Sequence, residues 1–346
     1  MTRLFPLVTA FCAVFATVSI AAPGAGPAAK RDTVVVDDKT EVVIKGALKW
    51  LAASQKANGS WATSGEEQAH PVAITAYTLM AFQSAGHLPG EGEYGKQVAA
   101  GLQYLLDQMT TEGIYGQRPS GQYMYTHGIA TIALAELYGQ TRSPVIRQKL
   151  DRAIKLIISS QNDEGGWRYR PIAKDADMSV TVLQVVALRA AKNSGIEVPQ
   201  KTIDDAVKYV KACYHAGSGG FGYQPSGSPG FARTSAAIYS LQVCGLYDDP
   251  MVKAGSDYIF KNGREEQEWY VYGNFYAAPA QYMIGGETWE KWYALMKEGL
   301  IKSAKKDGDN YSWESKGRGG VGPVYTTAVF TMILSMPYHY LPLYQR

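Results

Sequence analysis

Apolar positions along this chain fall into two kinds of helical stretch. In the first kind they lie on one side only. Val43, Ala47, Leu48 and Leu51 recur at helical spacing through Glu41–Gln55, and Lys149, Asp151, Arg152 and Lys155 alternate with apolar residues around and within Leu150–Gln161. Such a stretch lays one face on a core and the other in water. The second kind is almost free of charge: Thr131-Ile132-Ala133-Leu134-Ala135, Val182 to Leu188, Ser235 to Leu241 and Thr326 to Leu334. A helix without a polar face is buried on every side.

The two kinds alternate, joined by loops that carry an aromatic residue, usually beside glycine. Glu41–Gln55 leads through Asn58-Gly59-Ser60-Trp61 to Val72–Ala85. Val98–Met109 leads through Glu112-Gly113-Ile114-Tyr115 to Thr126–Tyr138, and Leu150–Gln161 through Gly165-Gly166-Trp167 to Asp177–Ala191. Ile203–Tyr214 leads through Gly219-Gly220-Phe221 to Ala232–Cys244, Val252–Phe260 through Trp269-Tyr270 to Asn274–Ile284, and Trp289–Ala304 through Asn310-Tyr311-Ser312-Trp313 to Val324–Ser335. Aligned on Trp61, Tyr115, Trp167, Phe221, Trp269 and Trp313, the units are spaced by 54, 52, 54, 48 and 44 residues. A near-constant period of this length is the mark of a repeat architecture. Amphipathic helices outside and charge-free, small-residue helices inside predict an all-α fold, an (α/α)6 toroid of six helical hairpins with an apolar inner ring. An open superhelix is the alternative arrangement.

The first residues stand apart. Arg3, the apolar run from Leu4 to Ile20 and the small residues Ser19-Ile20-Ala21 predict a secretory signal peptide over 1–22. A flexible segment, 23–40, and the toroid, 41–346, follow. Secretion or a periplasmic location is therefore expected, and no later run reaches membrane-spanning length. The charge is nearly balanced, 34 basic against 31 acidic residues. Without a basic cluster or aromatic–basic interleaving, nucleic acid is not an expected partner. Beyond the leader only Cys213 and Cys244 remain; they close successive helices, too far apart for a disulfide, and no CxxC or zinc spacing occurs. Neither a metal nor a cofactor is expected, and the oligomeric state is left open.

Candidate chemistry gathers where the inner helices begin. Asp175-Ala176-Asp177-Met178 opens one of them, and His70, Tyr125, His127, Arg233, Tyr276 and Tyr325 stand near the starts of others. Asp177 reads either as a reactive carboxyl or as a helix cap placing negative charge on the helix dipole. His127 reads as a base or as a hydrogen-bonded core residue. Arg168 and Arg170 flank Tyr169, suited to an anionic ligand or to acidic partners in an adjoining loop. Trp167 and Tyr223, in the aromatic loops, either line a site or wedge between repeats; a tyrosine's flat ring and polar tip serve both.

The glycine–aromatic loop followed by a small-residue helix is similar to the prenyltransferase and squalene-oxidase repeat. The resemblance runs through Tyr123 to Thr131, Gly165 to Leu188, Phe221 to Pro225, Gly285 to Trp292 and Tyr340 to Tyr344. Terpenoid cyclases, protein prenyltransferase β-subunits and exported bacterial proteins of unassigned activity share this repeat. In the cyclases, the middle aspartate of an Asp-x-Asp-Asp motif donates the initiating proton. The resemblance places that role on Asp177 with Asp175 beside it, but Met178 departs from the motif, and with it goes a carboxylate whose crowding raises the donor's pKa. The zinc-dependent prenyltransferases carry a ligand histidine at the last inner helix, where this chain has Val324-Tyr325-Thr326-Thr327. Polysaccharide lyases and glycoside hydrolases share the six-pair ring and need a carboxylate pair, or Tyr, His and Arg together. The expectation is an exported module binding a ligand or partner in the cell envelope, its ligand a small hydrophobic molecule or a carbohydrate. The alternatives are a degenerate terpene-cyclase-like enzyme using Asp177 and a polysaccharide-active enzyme in the central cleft.

Overall fold

A computed structural model describes residues 34–116, 121, 123–263, 268–315 and 319–344; the expected signal peptide lies outside the described residues. In chain order the helices are α1 (Asp38–Ala53), α2 (Gly65–Ala69), α3 (Pro71–Ser84), α4 (Gly95–Asp107), α5 (Met124–Thr141), α6 (Pro144–Ser159), α7 (Met178–Asn193), α8 (Gln200–Ala212), α9 (Phe231–Val243), α10 (Pro250–Asn262), α11 (Tyr270–Ile284), α12 (Gly286–Ser303) and α13 (Pro323–Ser335). The helix α1 begins at Asp38, inside the segment read as flexible, because the Asp37 side chain accepts the Thr40 N–H and caps it.

Apart from the short α2, these helices pair as the repeat predicts. The inner members are α3, α5, α7, α9, α11 and α13. Each packs on the next, and α13 returns to α3. The ring is closed. Outer helix α1 lies against α13 as well as α3, so the first outer helix also covers the last inner one. Burial follows the charge pattern: every residue of α13 from Val324 to Ser335 is buried, whereas α8 buries only Thr202, Ile203, Ala206, Tyr209 and Val210.

The aromatic period has a hydrogen-bonded cause. The Trp61 backbone N–H donates to Thr75 Oγ1 at 3.1 Å, and its indole N–H to the Leu51 carbonyl at 2.7 Å. Trp167 does the same with Thr181 (3.1 Å) and Ile157 (2.7 Å), and Trp313 with Thr327 (3.0 Å) and Leu300 (2.8 Å). Phe221 keeps the backbone half, to Thr234 at 2.9 Å. Each buried tryptophan thus ties the end of an outer helix to the first turns of its inner partner. Trp269 departs from this pattern. It caps α11 with φ 62° and is 48% exposed. Met283, fourteen residues on, has no hydroxyl to receive its N–H, so the fifth repeat lacks the clamp.

Two small antiparallel hairpins interrupt the helices: β1 (Tyr214–His215) with β2 (Gly220–Phe221), and β3 (Lys305–Asp307) with β4 (Asn310–Ser312). The second lies on α1, where the Asp309 carbonyl and the Tyr311 ring leave no room for a Cβ on Gly46. After α13 the chain makes two 3₁₀ turns, Met336–Tyr338 and Pro342–Tyr344. The second turn, with Leu343 and Tyr344 buried, packs on α5, α7 and α11.

Candidate functional site

Every pair runs outer helix, loop, inner helix, so the six inner helices start at one end of the ring, here called the mouth. At the mouth α7 is entered through Asp177, whose extended backbone (φ −146°, ψ 161°) ends the loop. Asp177 Oδ1 accepts the Val180 N–H at 2.9 Å and the Ser179 hydroxyl at 2.7 Å, the bonds of an N-cap. The side chain is wholly buried, and Oδ2 takes no hydrogen bond from any described residue. Arg168 Nε stands 3.5 Å from it. Burial pushes this carboxyl's pKa up, opposed by the Val180 N–H and Ser179 hydroxyl bonds and, without a hydrogen bond of proper geometry, by the nearby Tyr223 hydroxyl and the Arg168 charge.

The two aspartates of the motif part company. Asp175 is 56% exposed and pairs with Arg168 Nη1 at 3.0 Å. Arg168 therefore joins an outer carboxylate to an inner one, with its guanidinium carbon 4.9 Å from the Tyr169 ring centre.

Tyrosines wall the inner carboxylate. Tyr125 stacks on Tyr169, centroids 5.9 Å apart, and its hydroxyl meets Ser179 Oγ at 2.7 Å. The Tyr169 and Tyr223 hydroxyls pair at 2.7 Å. From α11, the Tyr272 hydroxyl donates to the Ser179 carbonyl at 2.7 Å. The loops are held in register by the Met124 N–H on the Tyr169 carbonyl (3.0 Å) and the Met178 N–H on the Tyr223 carbonyl (2.8 Å). Trp167, buried beneath, serves as the repeat clamp rather than as a wall of the site.

Tyr276 and Tyr325 lie with the aromatic packing of the ring interior. Tyr77 meets Tyr325 and Phe275 edge-on at 4.9 and 5.0 Å, and Tyr276 meets Tyr272 and Phe275 at 5.0 Å each. Burial raises the phenol pKa of Tyr276 and Tyr325 well above the ordinary value.

His127 and Arg233 are not brought into this cluster. The Tyr115 N–H donates to His127 Nδ1 at 3.3 Å, and Nε2 meets the Ala153 carbonyl on outer helix α6 at 3.2 Å. The ring is thus neutral with its proton on Nε2. It occupies the place that Thr75, Thr181, Thr234 and Thr327 hold in the other clamps, and burial lowers its pKa to about 4. The alignment on loop aromatics contained this signal: His127 follows Tyr115 by twelve residues as Thr75 follows Trp61 by fourteen. Arg233 lies half-buried on the first turn of α9, its guanidinium folded against Gly230. Ser179 and Tyr272 went unread in the sequence. Tyr272 stands four residues before Tyr276, which places both on one helix face.

Among the described residues, no three His, Cys, Asp or Glu side chains gather as a metal site, and no helix is long and apolar enough to cross a membrane. Cys213 and Cys244 are both free, the first buried and the second partly so.

A closed ring of six helix pairs with a tyrosine-walled carboxylate at its mouth defines an α/α toroid protein. The profile of the prenyltransferase alpha-alpha toroid domain matches residues 32–178 and 97–271, and the chain belongs to this family. No curated protein matches it in sequence. Among solved structures, the cellobiose 2-epimerase of Bacillus thermoamylovorans is similar over 87% of this chain and 98% of its own, with TM-score 0.66 and 14% identity. An alpha-1,6-mannanase from Salegentibacter sp., in complex with alpha-1,6-mannotriose, covers 88% of this chain and all of its own, with TM-score 0.62 and 10% identity. A type II terpene cyclase from Scytonema, in complex with geranylgeranyl dihydroxybenzoate, covers 88% and 98%, with TM-score 0.57 and 14% identity. Identities this low establish a shared fold alone.

Proposed function

We propose that this protein is an exported ligand-binding module of the cell envelope that takes its ligand at the mouth, around Asp177. The observation that carries the reading is the convergence there of Tyr125, Tyr169, Ser179, Tyr223 and Tyr272, from three inner helices and two loops, on one buried carboxylate. A few polar groups set among aromatic side chains are the ordinary lining of a small-molecule site. Below the mouth, edge-on packing of Tyr77, Phe275, Tyr276 and Tyr325 occupies the ring interior, which a long polyprenyl chain would have to enter. Similar rings are seen with a mannotriose and with a geranylgeranyl compound, so the fold is compatible with either ligand. Export rests on the leader at 1–22, and N-terminal sequencing of the mature protein tests it.

The binding reading is tested by a thermal-shift screen of the mature chain against isoprenoids, glycans and peptidoglycan fragments, repeated on Asp177→Asn. A ligand that raises the wild-type melting temperature and fails to raise that of the variant supports it. A wild type that no ligand stabilises overturns it. The cyclase-like alternative keeps one specific support, the upward shift of Asp177 by burial, since a proton donor must hold its proton. Incubation with polyprenyl substrates and a search for cyclised products, present with wild type and absent with Asp177→Asn, decides that alternative.

A further inference from the structure

The chemistry around Asp177 narrows the ligand class, on the reading that the mouth is a binding site. Of the two carboxylate oxygens, Oδ1 is occupied by the Val180 N–H and the Ser179 hydroxyl, which fix the side chain as the cap of α7. Oδ2 is buried with no hydrogen bond from any described residue, and Arg168 stands 3.5 Å away as a charge rather than as a hydrogen-bonding donor. A buried carboxylate oxygen with lone pairs unmet calls for an N–H or O–H donor.

We infer that the mouth binds a sugar unit, with a hydroxyl or amino group of the sugar donating to Asp177 Oδ2 and the pyranose resting among Tyr125, Tyr169, Tyr223 and Tyr272. Three features select this class. An isoprenoid chain brings no donor to Oδ2 and would cover the Tyr125, Tyr169 and Tyr223 hydroxyls with hydrocarbon, leaving more buried polar groups unmet. A phosphate or carboxylate would meet Asp175 and Asp177 against the single guanidinium of Arg168, which those two residues already hold at 3.0 and 3.5 Å. A sugar supplies both donors and acceptors. The Ser179 proton goes to Asp177 Oδ1, so the Tyr125 hydroxyl donates to Ser179 Oγ at 2.7 Å, whereas the Tyr169–Tyr223 pair, also at 2.7 Å, can donate in either direction and offers a ligand hydroxyl a donor or an acceptor. The apolar C–H face of a pyranose matches tyrosine rings.

Entry to the site follows from the same geometry. Tyr169 and Tyr223 are half-buried, come from successive aromatic loops and share a hydroxyl bond at 2.7 Å, with Tyr223 close enough to Asp177 to act on its charge. On this proposal the sugar opens the Tyr169–Tyr223 bond to reach Asp177 Oδ2, so Tyr169 and Tyr223 act as a pair of doors.

Isothermal titration and saturation-transfer NMR decide the matter. They use neutral oligosaccharides, amino-sugar oligosaccharides, farnesol and geranylgeraniol against wild type, Asp177→Asn and Tyr169→Phe. Asparagine caps a helix as well as aspartate does, so Asp177→Asn keeps the fold while replacing the charged acceptor; Tyr169→Phe is the second check. An oligosaccharide bound by wild type and weakened about ten- to a hundredfold in Asp177→Asn, the loss for a hydrogen bond to a charged group, is the expected result. Binding of the isoprenoid alcohols alone overturns the sugar class while leaving the mouth as the site. A glycan bound equally by wild type and Asp177→Asn, or no binding by any probe, overturns the assignment of the site as well.

Discussion

Glu67 Oε1 accepts the backbone N–H of Val324 at 2.8 Å, across 257 residues of chain, and that of Tyr325 at 3.1 Å. Its other oxygen accepts from the Thr63 and Ser64 backbone N–H groups at 3.1 and 3.3 Å. One fully buried carboxylate on α2 thereby caps α13, the last inner helix, and ties it to the first repeat, with Gly322 leaving the space that Glu67 fills. Glu67→Ala strands the two buried N–H groups of Val324 and Tyr325, together with the more exposed ones of Thr63 and Ser64, and is expected to lower stability by about 3 kcal/mol. Glu67→Gln, which keeps one acceptor, is expected to lose less. Urea unfolding of the two variants checks the order, and a Glu67→Ala midpoint equal to wild type would refute the closure role.

The repeat clamps predict a graded series. Trp167→Phe removes the indole N–H that meets the Ile157 carbonyl at 2.7 Å, leaves that carbonyl only the longer bonds from the Ser160 N–H (3.3 Å) and hydroxyl (3.1 Å), and replaces a buried indole by a smaller ring. A loss of about 2 kcal/mol is expected. Thr181→Val removes the acceptor for the Trp167 backbone N–H and is expected to lose a similar amount. Because both act on one clamp, the double variant should lose less than the sum, which a double-mutant cycle measures.

Two buried titratable groups oppose each other in pH. Burial raises the Glu136 carboxyl from 4.5 to about 7, against the Leu343 N–H that it accepts at 3.2 Å. Its stabilising contribution is full below pH 4.5 and is lost as pH rises to 7. Burial lowers His127 from 6.5 to about 4. Its contribution is full above pH 6.5 and is lost as pH falls to 4. Each effect is on the order of 3 kcal/mol at its limit, so in wild type they largely cancel between pH 4.5 and 6.5. Glu136→Gln should expose the histidine slope, with stability falling from pH 6.5 to 4. His127→Thr, which installs the residue of the other clamps, should expose the opposite slope, with stability falling from pH 4.5 to 7. Unfolding curves from pH 4 to 8 that stay parallel for all three proteins would contradict both assignments.

The C-terminal turn is predicted to be a structural part of the ring. Removing residues 341–346 withdraws Leu341, Leu343 and Tyr344 from burial and leaves Glu136 without the Leu343 N–H. A loss of about 5 kcal/mol is expected from the apolar area alone. Calorimetry of the truncated chain measures it, and an unchanged melting temperature would show that the turn only rests on the surface.

Much of this architecture could be read from the order of residues, because the reasons for it are local. A stretch such as Val182 to Leu188 has no side fit for water, and six such stretches, each preceded by an amphipathic partner, need a common interior. The clamp requires an aromatic residue near the end of one helix and a hydroxyl about fourteen residues later, and both recur at a visible period. Trp269 showed the limit of that reasoning. An aromatic at roughly the right spacing, without the threonine, became an exposed helix cap.

The residues of the site were legible as types and not as partners. Asp175 and Asp177 are two positions apart, and nothing in that spacing says that one would face water and the other be walled in by tyrosines; in extended backbone successive alternate positions share a face, and only the turn into α7 separates them. Whether His127 served chemistry or a clamp depended on the Ala153 carbonyl of a neighbouring helix, and Glu67 found its partners at the far end of the chain. By itself the sequence determined which segments pair as outer and inner helices and how many pairs there are, since burial of apolar surface needs only composition and period; the short α2 between the first pair was not among them. The tertiary structure alone decided which polar atoms meet, because a hydrogen bond depends on angstrom-scale positions contributed by elements that are remote in the chain.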